Sequence, residues 1–113
     1  MIQIYHNPRC GKSRSALKIL EEKGWSFDVK LYLKEPPTFE ELKAVLSKLA
    51  IPPEALLRKG EKVFKEQFKG KSHSEDEWIA AMVENPILIE RPIVINGDQA
   101  VVGRPPEKIL EVL

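Results

Sequence analysis

The chain has 113 residues, 42% of them hydrophobic and 31% charged, with 18 Lys and Arg against 17 Asp and Glu. That size supports one compact domain with a real core, and a net charge of +1 gives neither a basic field for nucleic acid nor an acidic bias toward disorder. No apolar run is long enough to span a membrane, and one cysteine excludes an internal disulfide and a multi-cysteine metal site.

Ile2 and Ile4 alternate with Gln3 and Tyr5, which predicts a short strand. This start lacks the charged head and long apolar body of a signal peptide, so the expected location is the cytoplasm. Ala16, Leu17 and Leu20 then recur at helical spacing, and Gly24 follows as a stop, giving a helix from about Gly11 to Lys23. Phe27, Val29, Leu31 and Leu33 alternate with polar neighbours as a second strand, which completes a parallel βαβ unit. Pro36 and Pro37 end it. Thr38 and Glu41 then form a capping box ahead of an apolar face of Phe39, Leu42, Val45, Leu46 and Leu49. Pro52 and Pro53 restart a short helical segment through Leu57, Gly60 to Phe68 reads as a charged helix, and Lys69 to His73 as a mobile loop. Ser74 and Glu77 make a second capping box, with Trp78, Ile79, Met82 and Val83 as the buried side of a helix that Asn85-Pro86 stops. After Pro92, Ile93 to Ile95 is a strand, Asn96-Gly97 or Gly97-Asp98 a tight turn, and Ala100 to Gly103 the returning strand. Pro105-Pro106 opens a last helix packed down by Ile109, Leu110 and Leu113. The expected class is α/β: βαβ, a helical insertion over about 38–85, then ββα, the thioredoxin-like arrangement in a single domain over 1–113.

The chemistry centres on Cys10, in Tyr5-His6-Asn7-Pro8-Arg9-Cys10-Gly11-Lys12-Ser13-Arg14, at the junction of strand and helix. A helix start offers unpaired N–H groups and the positive end of the backbone dipole, so a thiol there ionises readily, and the thiolate is the nucleophile. Gly11 lets backbone approach a ligand, and the Ser13 hydroxyl either donates to the sulfur or is an ordinary helix-start hydroxyl. His6 either orients the loop or, as a cation, tunes Cys10; a turn histidine bonding its own backbone is the plainer alternative. Arg58, Arg91 and Arg104 are candidate oxyanion ligands, since guanidinium groups present paired planar donors. Taken one at a time, each reads first as a solvated charge or a surface ion pair. A cis bond before Pro92 would aim backbone at Cys10. Trp25 and Trp78 read as core or half-buried packing residues, and His73 as an exposed loop residue without a role. Two distant histidines and one cysteine make no zinc site, so no metal is expected. Without a second cysteine, any redox partner thiol must come from another molecule.

Together these residues resemble the arsenate reductase family, ArsC-like and coupled to glutathione and glutaredoxin. The similarity runs over nearly the whole chain. It is carried by the Tyr5–Cys10 stretch with Ser13-Arg14, by Ala55-Leu56-Leu57-Arg58-Lys59, by Asn85 to Ile89 running into Arg91-Pro92-Ile93-Val94, and by Gly103-Arg104-Pro105. The resemblance implies a thioredoxin-like fold with a helical insertion. It implies that Cys10 attacks arsenate or a similar oxyanion, that Arg58, Arg91 and Arg104 bind it, and that His6, Ser13, Arg14 and Pro92 support the site. It further implies no bound cofactor, glutathione as co-substrate and glutaredoxin as partner. Two other readings stay open. One is a Spx-like adaptor that binds RNA polymerase, against which Ser13 counts because it replaces the second cysteine of that family's switch. The other is a monothiol oxidoreductase acting on glutathionylated proteins, which a Cys-x-x-Ser turn also suits.

Overall fold

The computed structural model of the protein describes residues 2–113. Its contacts divide into two compact units: residues up to Glu35 together with Arg91–Leu113, and Pro36–Glu90. Among the described residues no helix is long and apolar enough to cross a membrane.

The first unit is built on a four-stranded sheet in the order β2-β1-β3-β4. Strand β1 (Ile2–Tyr5) pairs in parallel with β2 (Phe27–Lys30), joined by helix α1 (Gly11–Lys23). Strand β3 (Ile93–Asn96) runs antiparallel to β1 and to β4 (Gln99–Val102). Ile4 lies opposite Val29 on one side and Val94 on the other. Ile2 and Ile4 of β1, Ala16 and Leu20 of α1, and Val94, Ile109 and Val112 form one buried cluster. It fixes α1, and with it Cys10, against the sheet. Gly24 ends α1 at φ 71, a left-handed conformation that glycine adopts without steric cost. Gly97, at φ 60, opens the two-residue turn between the paired Asn96 and Gln99.

The structure departs from the sequence pattern at the end of β2 and at the C-terminus. The apolar alternation from Phe27 to Leu33 extends beyond the strand, which stops at Lys30. Its partner β1 ends at Tyr5, opposite Lys30, and the His6 amide makes a closing bond to the Lys30 carbonyl at 2.9 Å. The chain then turns, with the Lys34 and Glu35 amides both donating to Leu31 O at 2.9 Å. Tyr32 is buried and stacks on Tyr5, whereas Val29 and Leu33 are exposed. The C-terminal segment Pro106–Val112 is a 3-10 helix. With three residues per turn, Ile109 and Val112 fall on one face and are buried, while Leu110 points outward at 46% exposure. Trp25 is likewise half-exposed, at 48%.

In the second unit, helix α2 (Phe39–Leu49) packs on α4 (Glu75–Glu84), with the 3-10 segments Pro53–Leu56 and Pro86–Leu88 and the short helix α3 (Lys62–Gln67) around them. Both capping boxes form. Thr38 Oγ1 accepts from the Glu41 amide and the Thr38 amide donates to the Glu41 carboxylate. Ser74 and Glu77 repeat the pattern. The buried faces are Leu42, Val45 and Leu46 on α2, and Trp78, Ile79, Ala81 and Met82 on α4, where Ala81 takes the buried place expected of Val83. His73 is half-buried, not exposed. Its ring stands edge-on to Trp78 at 4.5 Å and to Phe68 at 5.8 Å, an arrangement aromatic quadrupoles favour.

Candidate active site

Where β1 ends, the chain leaves the sheet through His6 and Asn7, both buried. Asn7 then organises the turn. Its side-chain oxygen accepts from the Arg9 amide at 3.0 Å and its carbonyl from the Cys10 amide at 3.0 Å. Asn-Pro is a turn signal in any sequence, so this role was available to inspection, although nothing there marked Asn7 as a site residue. Arg14 braces the same turn through a 2.9 Å bond from Nη1 to Pro8 O.

Cys10 is the N-cap of α1, half-buried and in extended conformation, and its carbonyl accepts from the Arg14 amide at 3.0 Å. Its thiol is brought down to about 7. Burial is the largest influence and opposes ionisation. It is outweighed by a hydrogen bond from the Arg91 side chain, by the backbone N–H groups of Ser13 and Lys12, and by the Arg91 charge. A second guanidinium approaches from the far end of the chain: Arg104 Nη1 lies 3.9 Å from the sulfur and donates to Arg91 O at 3.1 Å. Arg91 and Arg104 thus hold each other as well as the thiolate.

The loops that carry these arginines are tied together. The Gly103 amide donates to Pro92 O at 2.8 Å, and the Arg91-Pro92 and Arg104-Pro105 bonds are both cis. Gly103 has no room for a side chain, since a Cβ there would sit 2.9 Å from Pro92 Cγ and 3.0 Å from Ile109 Cγ2. That close approach is a second role the sequence did not flag.

The Ser13 hydroxyl does not serve the sulfur directly. It is wholly buried, accepts from the Asn7 amide at 3.0 Å and shares a 2.6 Å bond with His6 Nδ1. Its contribution to Cys10 is its backbone N–H. Of the two roles open to His6, orienting the loop matches this geometry. Burial and then the Arg14 charge lower its pKa, which disfavours the imidazolium needed for the other role.

Arg58 belongs to the helical unit. Its Nε donates to Glu61 at 3.1 Å and its Nη1 to Glu90 at 2.6 Å, and its amide to Leu88 O at 2.8 Å. Burial works against its charge, but the two carboxylates outweigh that and raise its pKa.

The arrangement offers a thiol ionised near neutrality, flanked by backbone N–H groups and two guanidiniums. Such a site can attack an electrophilic centre that carries negative oxygens and can offset the charge of the adduct. The ArsC family profile matches residues 5–112. Over 112 residues the chain is 43% identical to the arsenate reductase of Haemophilus influenzae, covering 97% of each. It is 44% identical over 114 residues to an Escherichia coli K12 protein of uncharacterised function, YfgD, covering 99% of this chain and 96% of that one. Among solved structures, an arsenate reductase from Vibrio cholerae superposes with a TM-score of 0.95 at 46% identity, covering 99% of this chain and 97% of the other. From the N-terminal strand to the last 3-10 helix, the chain is a member of the ArsC family.

Proposed function

We propose that the protein reduces arsenate to arsenite with electrons from glutathione and glutaredoxin. The observation that carries this reading is the Cys10 sulfur, ionised near neutrality and approached by Arg91 and Arg104. In the first step the Cys10 thiolate forms a bond to arsenic, and an arsenate oxygen leaves as water after taking up two protons. Glutathione then adds to the arsenic and a second oxygen leaves as water. A glutaredoxin thiol attacks the glutathione sulfur; the arsenic–sulfur bond breaks and its electron pair stays on arsenic, which falls from the +5 to the +3 state. The two thiols end as a mixed disulfide. Water finally displaces arsenite from Cys10. The lone cysteine suits this scheme, because the resolving thiols come from outside.

Within it Arg91 and Arg104 offset the anionic charge, Pro92 and Gly103 hold the two arginine loops together, and His6, Ser13 and Arg14 shape the turn that presents Cys10. Arg58 carries over from the family resemblance as a third oxyanion ligand, and we place the reaction in the cytoplasm, where glutathione is abundant and reduced. The test is arsenate-dependent NADPH oxidation in a glutathione, glutaredoxin and glutathione reductase assay. Turnover is expected with the native chain and lost in Cys10→Ser. An assay in which NADPH consumption ignores arsenate would remove the reductase reading.

A further inference from the structure

Leu33 is a large apolar residue left 38% exposed, on the turn where β2 stops short. It is one wall of a cavity of about 390 Å³. Leu31 and Pro8 extend the apolar surface, His6 and Asn7 form another wall, and Arg9 and Lys34 stand as cations. No carboxylate lines this cavity. Three other cavities each carry one or more: Glu75 and Asp76 beside α2, Glu54 by the lysine-rich helix, and Glu22 of α1 with Glu107 of the last 3-10 helix. The cavity is also continuous with the nucleophile turn. Arg9 immediately precedes Cys10, Asn7 O holds the Cys10 amide, and His6 holds Ser13.

We propose that this cavity seats the reducing co-substrate, a small peptide thiol whose carboxylates pair with Arg9 and Lys34 and whose apolar parts rest on Leu31, Leu33 and Pro8. The inference rests on the reductase reading for the need of an outside thiol, but the seat itself is defined by charge and shape. Its volume falls in the range of about 300–1,000 Å³ usual for small-ligand sites, enough for a tripeptide but not for a folded partner. An exposed leucine that shares a lining with two cations suits a ligand that carries both carboxylates and apolar parts. None of Arg58, Arg91 and Arg104 lines this cavity, so a thiol held there takes no guanidinium needed for the oxyanion.

S-methylglutathione, which keeps both carboxylates but lacks a reactive thiol, tests this without arsenate. Titrated into the ¹⁵N-labelled chain, it is expected to shift the amide resonances of Asn7, Arg9, Leu33 and Lys34 saturably. Arg9→Gln and Lys34→Gln are each expected to weaken binding by about fivefold to tenfold, as loss of a charge-assisted bond does. Lys18→Gln removes the same charge from the outer face of α1 and is expected to leave the affinity unchanged. The diethyl ester of the probe, with both carboxylates masked, is expected to bind at least tenfold more weakly. Shifts confined to other surfaces, equal affinity of the ester, or indifference to both Gln variants would each overturn the proposal. None of these outcomes bears on arsenate turnover, which the NADPH assay reads separately.

Discussion

At the scale of the residue, the protonation state of one sulfur decides what the site can do. With a pKa of about 7, roughly half of Cys10 is thiolate at neutral pH, where an ordinary cysteine near 8.5 is almost wholly protonated. Ionisation here is favoured by partners, so the thiolate predominates above the midpoint, and reactivity falls about tenfold per unit well below it. Iodoacetamide labelling is therefore expected to titrate with a midpoint near 7 in the native chain. In Arg91→Ala the midpoint is expected to rise by about one unit or more, because the Arg91 hydrogen bond and charge are gone while burial still opposes ionisation. An unmoved midpoint would detach Arg91 from the thiol. Ser13→Ala acts differently. It strips a shared hydroxyl from the Asn7 amide and the His6 ring in a buried place, and is expected to cost about 1–3 kcal/mol in urea denaturation.

At the scale of the element, short-range chemistry explains most boundaries. Both capping boxes sit where Thr38-x-x-Glu41 and Ser74-x-x-Glu77 spell them, and α1 stops where Gly24 turns left-handed. Thr38→Ala and Ser74→Ala are each expected to lose about 1 kcal/mol, read from the urea midpoint, as loss of an N-cap does. Boundaries set by a neighbour behave otherwise. The β2 alternation is a sound local signal that runs past Lys30, but a strand lasts only as long as its partner, and β1 supplies four residues. The last segment likewise has prolines suited to a helix start, yet adopts the tighter 3-10 winding that buries Ile109 with Val112. Gly103, just before that segment, is a contact point and not a turn. Gly103→Ala is expected to cost about 1–3 kcal/mol, because Pro92 and Ile109 must both give way.

At the scale of the whole molecule, the sheet unit is discontinuous in sequence. Strand β1 pairs with β2 nearby and with β3 across the segment Pro36–Glu90. Closing that long loop costs entropy that the central strand must recover through burial. Ile4, fully buried between Val29 and Val94, is the residue on which both pairings converge. Ile4→Ala is expected to destabilise the protein by about 2–5 kcal/mol, measured by urea denaturation. A loss under 1 kcal/mol would mean the site collapses around the gap.

Local pattern alone sufficed for the βαβ start, the capped helices, the ββ hairpin and the placing of Cys10 at a helix start, because each is set by neighbours within a few residues. That any thiol partner of Cys10 must come from another molecule followed from counting one cysteine. The tertiary structure decided what no window of sequence contains. It brings Arg104 to a sulfur 94 residues away and locks it to the Arg91 carbonyl, and it turns the Ser13 hydroxyl toward His6. An arginine in a sequence carries charge without direction. Only the closure of β3 and β4 onto β1 brings Arg91 and Arg104 to the thiolate.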